Sequence, residues 1–425
     1  MAVTNLKHKL ALASASLLAG GAQAAQPSAS QDEASQLYNK WTVDVGYLHY
    51  NEADYISVDT YMAMIKGNLS DTDTIKLGLV FDTLSGATPT GALPGSESVT
   101  VSGVSGGGVS AAGSTGGTAP FNDTRLAMDV TWGHEWERLK RSKFGVQVSV
   151  EGDYTAVGSS LTLELDSPDR TSTYTAGFGV SSDKVGRSSE QTPAPLTQSS
   201  AGAMFGPGHK NTLEAMIGVT RVINRRTVAM ANVSISQSLG YHTDPYKVIS
   251  VADENDVEIS DGATYEHRPD NRTRYILYSK IKHELPSSGH HLGLSYRFHS
   301  DSWDINSHTI EASYSLPVLQ DHKLEPFVRL YHQQAARFYT KTLAFDGLAT
   351  STWETASFHF PKHASADIRL AEMFSTTIGA KFRYMTSATG SVDVRLAYYY
   401  RDYRDAVIDN DAALFAVVDL GKSFN

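Results

Sequence analysis

The sequence predicts an all-β fold: a transmembrane, antiparallel, up-and-down β-barrel of about 16 strands with long extracellular loops. Three observations lead there. From Trp41 onward, segments of about ten to fourteen residues alternate apolar and polar side chains with period two. Short polar turns and long irregular connections separate these segments. No stretch of the 425 residues approaches the roughly 20 consecutive apolar residues of a spanning helix.

The elements follow in order. Residues 10–21 are apolar, follow Lys7 and Lys9 and precede Ala22-Gln23-Ala24, the pattern of a secretory signal peptide cleaved after Ala24. The plainer alternative for 1–24 is a short amphipathic helix. Residues 25–40 are polar and read as a periplasmic lead-in, and 41–425 as the outer-membrane barrel. Absence of cysteine removes disulfides, lipoprotein anchoring, thiolate metal sites and cysteine nucleophiles together. The formal net charge of −10 excludes an ordinary nucleic-acid binder, so no nucleic-acid partner is expected.

Within the barrel, residues 125–136 place Leu126, Met128, Val130, Trp132 and Trp136 on one face and Arg125, Ala127, Asp129, Thr131 and Gly133 on the other. Residues 144–154 repeat the pattern, with Phe144, Val146, Val148, Val150 and Tyr154 opposite Gln147, Ser149, Glu151 and Asp153. So do 291–299 and 392–401. Two faces of different polarity mean two different solvents, and the segment length matches a bilayer crossed at a tilt of about 45°. Short turns are expected at Ser70-Asp71-Thr72-Asp73, Ser167-Pro168-Asp169-Arg170, Ile223-Asn224-Arg225 and Pro286-Ser287-Ser288-Gly289. Long connections are expected at about 86–122, 186–209, 240–270 and 335–372.

Seventeen segments alternate, but a single-chain barrel with both ends in the periplasm needs an even number. Assigning the short, Pro-preceded segment 362–370 to an outer loop leaves sixteen, with fourteen and eighteen as alternatives. The last strand, 412–424, aligns Leu414, Ala416, Val418, Leu420 and Phe424. Its Asp419, Gly421 and Phe424 have the spacing of the terminal signal read by barrel-assembly machinery, although Asn425 follows where that signal usually ends on an aromatic residue. The expected partners are therefore outer-membrane lipid and that machinery. Trp132 with Trp136, Tyr398 with Tyr400, and Tyr241 with Tyr246 fall near strand ends, where interfacial girdles form.

Four stretches carry a resemblance: Gly240-Tyr241-His242-Thr243-Asp244-Pro245-Tyr246-Lys247; Arg268-Pro269-Asp270-Asn271-Arg272-Thr273; Tyr296 through Thr309, with Ser300-Asp301-Ser302-Trp303-Asp304 at its centre; and Pro326 through Tyr339. A weaker echo lies in Ser365-Ala366-Asp367-Ile368-Arg369-Leu370. From about 210 to 424 the chain resembles a bacterial outer-membrane family known as domain of unknown function 3570. The resemblance implies an outer-membrane barrel and no established activity.

If the apolar faces meet lipid, the opposite faces line the lumen. The first half then contributes mainly carboxylates: Asp44, Asp82, Asp129, Glu151, Asp153, Glu164 and Glu214, with Lys76 and Arg125 as exceptions. The second half contributes mainly cations: Arg274, Lys280, Lys282, Arg297, Arg329, Lys381, Arg383, Arg395 and Arg401, with Glu284, Glu311 and Asp393 among them. Two opposed charged walls would favour a porin-like channel for small polar or charged solutes. The alternative is that these groups pair and close the lumen. The 240–270 loop, with Asp244, Arg268, Asp270 and Arg272, and the cluster Asp301, Trp303 and Asp304 beside His299 and His308 read as a latch between loop and wall. Pro361 between His359 and His363 prevents the helix that would align them as ligands, so no metal or other cofactor is expected. No G-x-S-x-G elbow or other nucleophile motif appears, and no catalytic residue is assigned.

Overall fold

The computed structural model describes residues 41–52, 55–92, 118–187, 190–253, 255, 257–286, 288–318, 322–346, 353–387 and 389–424. The expected signal peptide and lead-in, and most of the 86–122 stretch, lie outside these residues. Sixteen antiparallel strands form one closed barrel. They are β1 (Trp41–Glu52), β2 (Ile56–Asn68), β3 (Asp73–Pro89), β4 (Thr118–Glu137), β5 (Lys140–Val150), β6 (Tyr154–Asp166), β7 (Ser172–Val185) and β8 (Gly208–Asn224). The second half is β9 (Thr227–Gly240), β10 (Asn271–Glu284), β11 (His291–Asp301), β12 (Asn306–Val318), β13 (His322–Gln333), β14 (Glu372–Ser387), β15 (Gly390–Arg404) and β16 (Asn410–Phe424). Each strand pairs with the next in sequence, and β1 pairs with β16 from Trp41 opposite Phe424 to Glu52 opposite Ala413. Residues 362–370 stay out of the wall, in the connection from β13 to β14, where Ile368–Leu370 make one 3₁₀ turn. This settles the count at sixteen.

The two ends of the barrel differ. At one, the turn end, every connection is short (69–72, 138–139, 167–171, 225–226, 285–290, 319–321 and 388–389). At the other, the loop end, connections 90–117, 186–207, 241–270 and 334–371 are long, whereas 53–55, 151–153, 302–305 and 405–409 are short. One boundary departs from the sequence pattern. Residues 144–154 are not one strand, because the chain reverses at Glu151-Gly152-Asp153 and Tyr154 opens β6 with its ring inward. There its hydroxyl donates to Asp183 at 2.6 Å.

Outward side chains form an apolar belt that includes Val45, Phe81, Leu161, Ile217, Leu294 and Leu414, all exposed. So much contiguous apolar surface is untenable in water at about 25 cal/mol per Å² and belongs in hydrocarbon. Trp132 and Trp136 lie outward at the turn end, donating their indole N–H groups to Asp73 (3.1 Å) and Ser142 (2.9 Å), as interfacial aromatics do. Tyr398 and Tyr400 are also outward and exposed. Tyr241 and Tyr246 are not girdle residues. They sit in the 241–270 connection, Tyr246 fully buried, because that connection folds back instead of lying along the interface.

Register across the wall is pinned by side chains lying over glycines. A Cβ at Gly46 would meet Asp419 Oδ1 at 2.5 Å, and one at Gly421 would meet Asp44 Oδ1 at 2.7 Å, so the β1–β16 seam interlocks reciprocally. Gly78 lies under Asp129 of β4 in the same way.

The face assignment predicts that Ile217→Arg, at the middle of β8, costs about 2–4 kcal/mol, whereas Glu214→Gln on the opposite face costs under ~1 kcal/mol. Urea unfolding in lipid vesicles measures both. Equal costs would mean that the faces are exchanged or that the belt does not meet lipid.

Candidate functional site

The long connections at the loop end fold into one inner body. Residues 248–252 and 258–265 make an antiparallel hairpin, and Thr342–Leu343 adds a parallel strand beside Ser250 and Val251. The 186–207 connection docks on the hairpin, with Leu196 N donating to Tyr265 O, Ser199 N to Ala263 O and Tyr265 N to Thr197 O. Val248 N donates to Thr90 O at 3.0 Å. Beside it Gly91 has φ +98°, and a Cβ there would lie 2.2 Å from Val248 O, so only glycine lets these chains meet. Ile249, Val251, Ile259, Leu343, Ala364 and Ala366 form its core, and all are buried. A second cluster joins this body to the wall: Ile368 and Ala371 pack on inward-facing Met373 and Tyr403 and on the 405–409 turn. Gln333 of β13 also donates to the carbonyls of Arg369 and Ala371, each at 2.8 Å. The body is a plug seated in the loop end.

A charge network holds it. Arg268 Nη2 donates to Glu266 Oε2 (2.9 Å) and to Asp367 Oδ2 (2.7 Å), tying the 241–270 connection to 334–371. Arg369 binds Asp367 through Nε (2.7 Å) and Nη2 (2.6 Å) and lies 3.6 Å from Asp244. Glu266 accepts from Asp244 N (2.7 Å) and from the Ser365 hydroxyl. With buried Lys247, three cations and three carboxylates balance inside the plug. Burial alone would raise the Asp367 carboxyl, but Arg369, Arg268 and Lys247 outweigh it and hold it well below the usual range. Glu266 is shifted the other way, raised by burial and by Asp244 and Asp367 against the pull of Arg268.

The short 302–305 turn is a second fastening. Asp301 accepts from Trp303 N (2.9 Å) and Ile305 N (3.1 Å) through Oδ1, while Arg272 Nε donates to Oδ2 at 2.8 Å. Trp303, 2% exposed, lies under the Arg272 guanidinium at 4.2 Å, donates to Asn271 O at 2.8 Å, and meets Phe338 and His242 edge-on. Burial beside Lys210, Arg272 and Arg274 pushes His242 down to about 3, so the ring is neutral and Nδ1–H donates to Gly240 O at 2.7 Å. Of the residues singled out in sequence, Asp244, Arg268, Arg272, Asp301 and Trp303 meet in these two fastenings. Asp270 and Asp304 stay exposed, with Asp304 at φ +67° in the turn. His308 faces outward against Tyr296, away from His299, because it follows inward-facing Ser307 by a single residue on a strand whose side chains alternate. Glu266, Lys247, Asp367 and Arg369 escaped sequence reasoning, although Asp367 and Arg369 stand in the weaker stretch of the resemblance.

Below the plug, the inward wall alternates as the period-two pattern requires. Asp44, Asp82, Asp129, Glu164 and Glu214 face inward in the first half, and Glu151 and Asp153 lie in the 151–153 turn. Most of these carboxylates have cations beside them: Asp82 with Arg125 (2.5 Å), Asp129 with Lys76 (3.7 Å), Glu164 with Lys143 (2.5 Å) and Arg141 (3.2 Å). Glu214 lies 3.9 Å from Arg274. Arg141, Lys143 and Lys210 are inward cations of this half that the sequence reading passed over, since they lie in the first four residues of their strands, before the clear alternation sets in. In the second half Arg274, Lys280, Lys282, Arg297, Arg329, Lys381, Arg383, Arg395 and Arg401 all face inward. Arg329 pairs with Glu311 (2.9 Å), Arg383 with Asp393 (2.7 Å), and Arg401 with Glu52 and Asp411 across the seam. Burial divides the lumen: inward residues near the plug, such as Thr60, Asp82, Ser238, Gln333 and Thr377, are buried, whereas the charged ones nearer the turn end, such as Lys66, Glu164, Lys282 and Arg383, are at least partly exposed. The turn end is thus a charged vestibule. Among the described residues one acidic group has metal-ligand spacing, Asp123, Glu151 and Asp153, within 4.8 Å of one another.

No curated protein matches this chain. Solved structures similar to it include a bacterial polysaccharide outer membrane secretin (10% identity, 92% of this chain and 99% of that one, TM-score 0.44). Others are the outer membrane protein opdK from Pseudomonas aeruginosa (8%, 91% and 99%, 0.39) and the siderophore receptor PirA from Acinetobacter baumannii (12%, 87% and 53%, 0.41). The chain spans about half the length of that receptor. A model of one family matches residues 7–421, nearly the whole chain, and the protein belongs to it: the family described as protein of unknown function, DUF3570.

Proposed function

We propose that the protein is an outer-membrane barrel with a porin-like path for small polar or charged solutes, held shut by its own loops. In this reading the turn end faces the periplasm, the loop end faces outward, and the chain arrives through an N-terminal signal peptide. The barrel-assembly machinery recognises the last strand, which ends at Phe424 and forms the seam with β1. The observation that carries the reading is the pairing of a wet, charged vestibule with a plug fastened by a buried charge network. Such a network is strongly held when complete and strongly destabilising when one partner is lost, the behaviour of a latch and not of a passive filler. The depth of burial of the 248–252 strand favours a second reading, a permanently plugged barrel whose loops serve a surface partner.

Removing Arg268 separates the two. Arg268→Ala leaves Glu266 and Asp367 without their shared cation, a loss of about 3–5 kcal/mol to the plug. In planar bilayers the wild-type barrel is expected to stay near its closed baseline and the variant to conduct steadily. Steady conductance of the wild type overturns the latch. A variant that stays silent while its loops become protease-sensitive leaves only the permanently plugged reading.

Acid should not open the latch. The depressed Asp367 carboxyl contributes stability that is present above its unfolded value and lost only as pH falls through its low folded value. The raised Glu266 carboxyl gains a proton more readily in the folded plug, so acidification favours the plug through it. Conductance traces at pH 7 and pH ~5 are therefore expected to match, and opening at the lower pH would contradict the assignment.

A further inference from the structure

We propose that the inner wall of β10–β15 carries a binding trough for small oxyanions, a phosphate, carboxylate or sulfonate group. The proposal deepens the porin-like reading by naming its solute class, and rests on that reading for passage but not for binding.

The trough is visible in the strand register. One row of inward positions runs Lys282, Gly293, Ser313, Phe327, Gly379 and Ala397 across six neighbouring strands. Apart from Lys282 at its end and Phe327 in the middle, its side chains are small or absent, and the Phe327 ring lies over Gly379 and the Ser313 hydroxyl over Gly293. The inward row on one side runs Lys280, Ser295, Glu311 and Arg329. On the other side stand Glu325, Lys381 and Arg395. Successive inward positions along a strand are about 7 Å apart, so the two rims are about 14 Å apart at the backbone and the long cationic side chains lean over the gap from both. Lys280 stands on one rim, on β10, and Arg395 on the other, on β15, with Glu311 and Glu325 on the strands between them.

Charge in the trough is unbalanced. Glu311 is engaged by Arg329 and Asp393 by Arg383, with Lys381 3.8 Å from Asp393. Among the described residues Lys280, Lys282, Arg297 and Arg395 have no carboxylate oxygen within 4.0 Å. The Arg395 Nε is buried without a hydrogen-bond acceptor, and its guanidinium lies over the Phe327 ring at 5.3 Å. The Nε itself is covered, but four cations without a carboxylate in reach leave net positive charge on this wall, and an oxyanion in the trough would accept from the lysine ammonium groups and the far end of the Arg395 guanidinium. The trough faces the lumen, so a dissolved anion reaches it and the headgroup of an outer-leaflet lipid does not. Phe327 on the floor adds an apolar surface for whatever body bears the anionic group.

Isothermal titration of the intact, detergent-solubilised barrel with inorganic phosphate in chloride buffer tests this. Saturable binding is expected, weakened about tenfold or more in the Lys280→Gln/Arg395→Gln double variant, kept by Lys280→Arg, and untouched by Lys140→Gln outside the trough. Heat-modifiable migration on gels confirms that each variant is folded. If the double variant does not fold, Lys282→Gln alone, expected to weaken binding about threefold, takes its place. No saturable heat with the wild type, or equal affinity in the folded variants, overturns the proposal. Because the plug stays seated throughout the titration, binding is read apart from passage: phosphate binding with an Arg268→Ala variant that never conducts would sink only the porin-like path, and conductance of that variant without phosphate binding only the trough.

Discussion

Every backbone N–H and C=O in hydrocarbon must find a partner within the chain, and a sheet that spans a membrane satisfies this only by closing. The seam between β1 and β16 is therefore the contact on which the rest depends. Its ladder runs twelve pairs, from Trp41–Phe424 to Glu52–Ala413. Side chains hold its register as firmly as backbone bonds do. Asp419 fills the space that Gly46 leaves and Asp44 the space that Gly421 leaves, so a slip of one residue would drive carboxylates into backbone and turn the apolar belt inward. At the loop end Arg401 bridges Glu52 and Asp411 across the same seam.

A closed wall of sixteen strands encloses more volume than its own side chains fill. The chain fills one end with its connections and leaves the other wet. Long connections alone would not do this; they need places to dock. The wall supplies them in the short turns at 302–305 and 405–409, whose Trp303 and Val407 point into the plug's clusters. Gly91 supplies another where backbones touch. The plug then buries charges, which is tolerable because three cations and three carboxylates balance there, Arg268 and Arg369 at hydrogen-bond distance from Glu266 and Asp367 and Arg369 3.6 Å from Asp244. A network of that kind selects one arrangement of the loops, since every alternative strands a charge.

Charge is distributed differently in the two halves of the wall. In β3–β8, most inward carboxylates have cations beside them on a neighbouring strand, so the field there is largely cancelled. In β10–β15, cations outnumber the carboxylates within reach and remain partly exposed. The contrast arises from adjacency: a period-two pattern puts a residue on a face, but only the register decides what stands next to it. Glu164 reads as an acidic wall residue by itself and becomes a neutralised one once Lys143 and Arg141 are opposite.

The sequence by itself determined the all-β class, the barrel, the even strand number and the side most wall residues face, because alternation between two solvents is written residue by residue. Of the seven residues it singled out in turn-forming stretches, Asp244, Arg268, Arg272, Asp301 and Trp303 meet in the two polar clusters at the loop end, whereas Asp270 and Asp304 stay exposed. It misplaced Tyr154, Tyr241, Tyr246 and His308, whose positions depend on where a strand stops and whether a connection folds back. Only the tertiary structure joined Arg268 to Asp367, 99 residues away, and put Lys280 and Arg395 on the two rims of one inner wall. Local pattern records which solvent a side chain meets; partners brought together by ring closure and loop docking leave no periodic trace, since their energies arise only after distant segments have met.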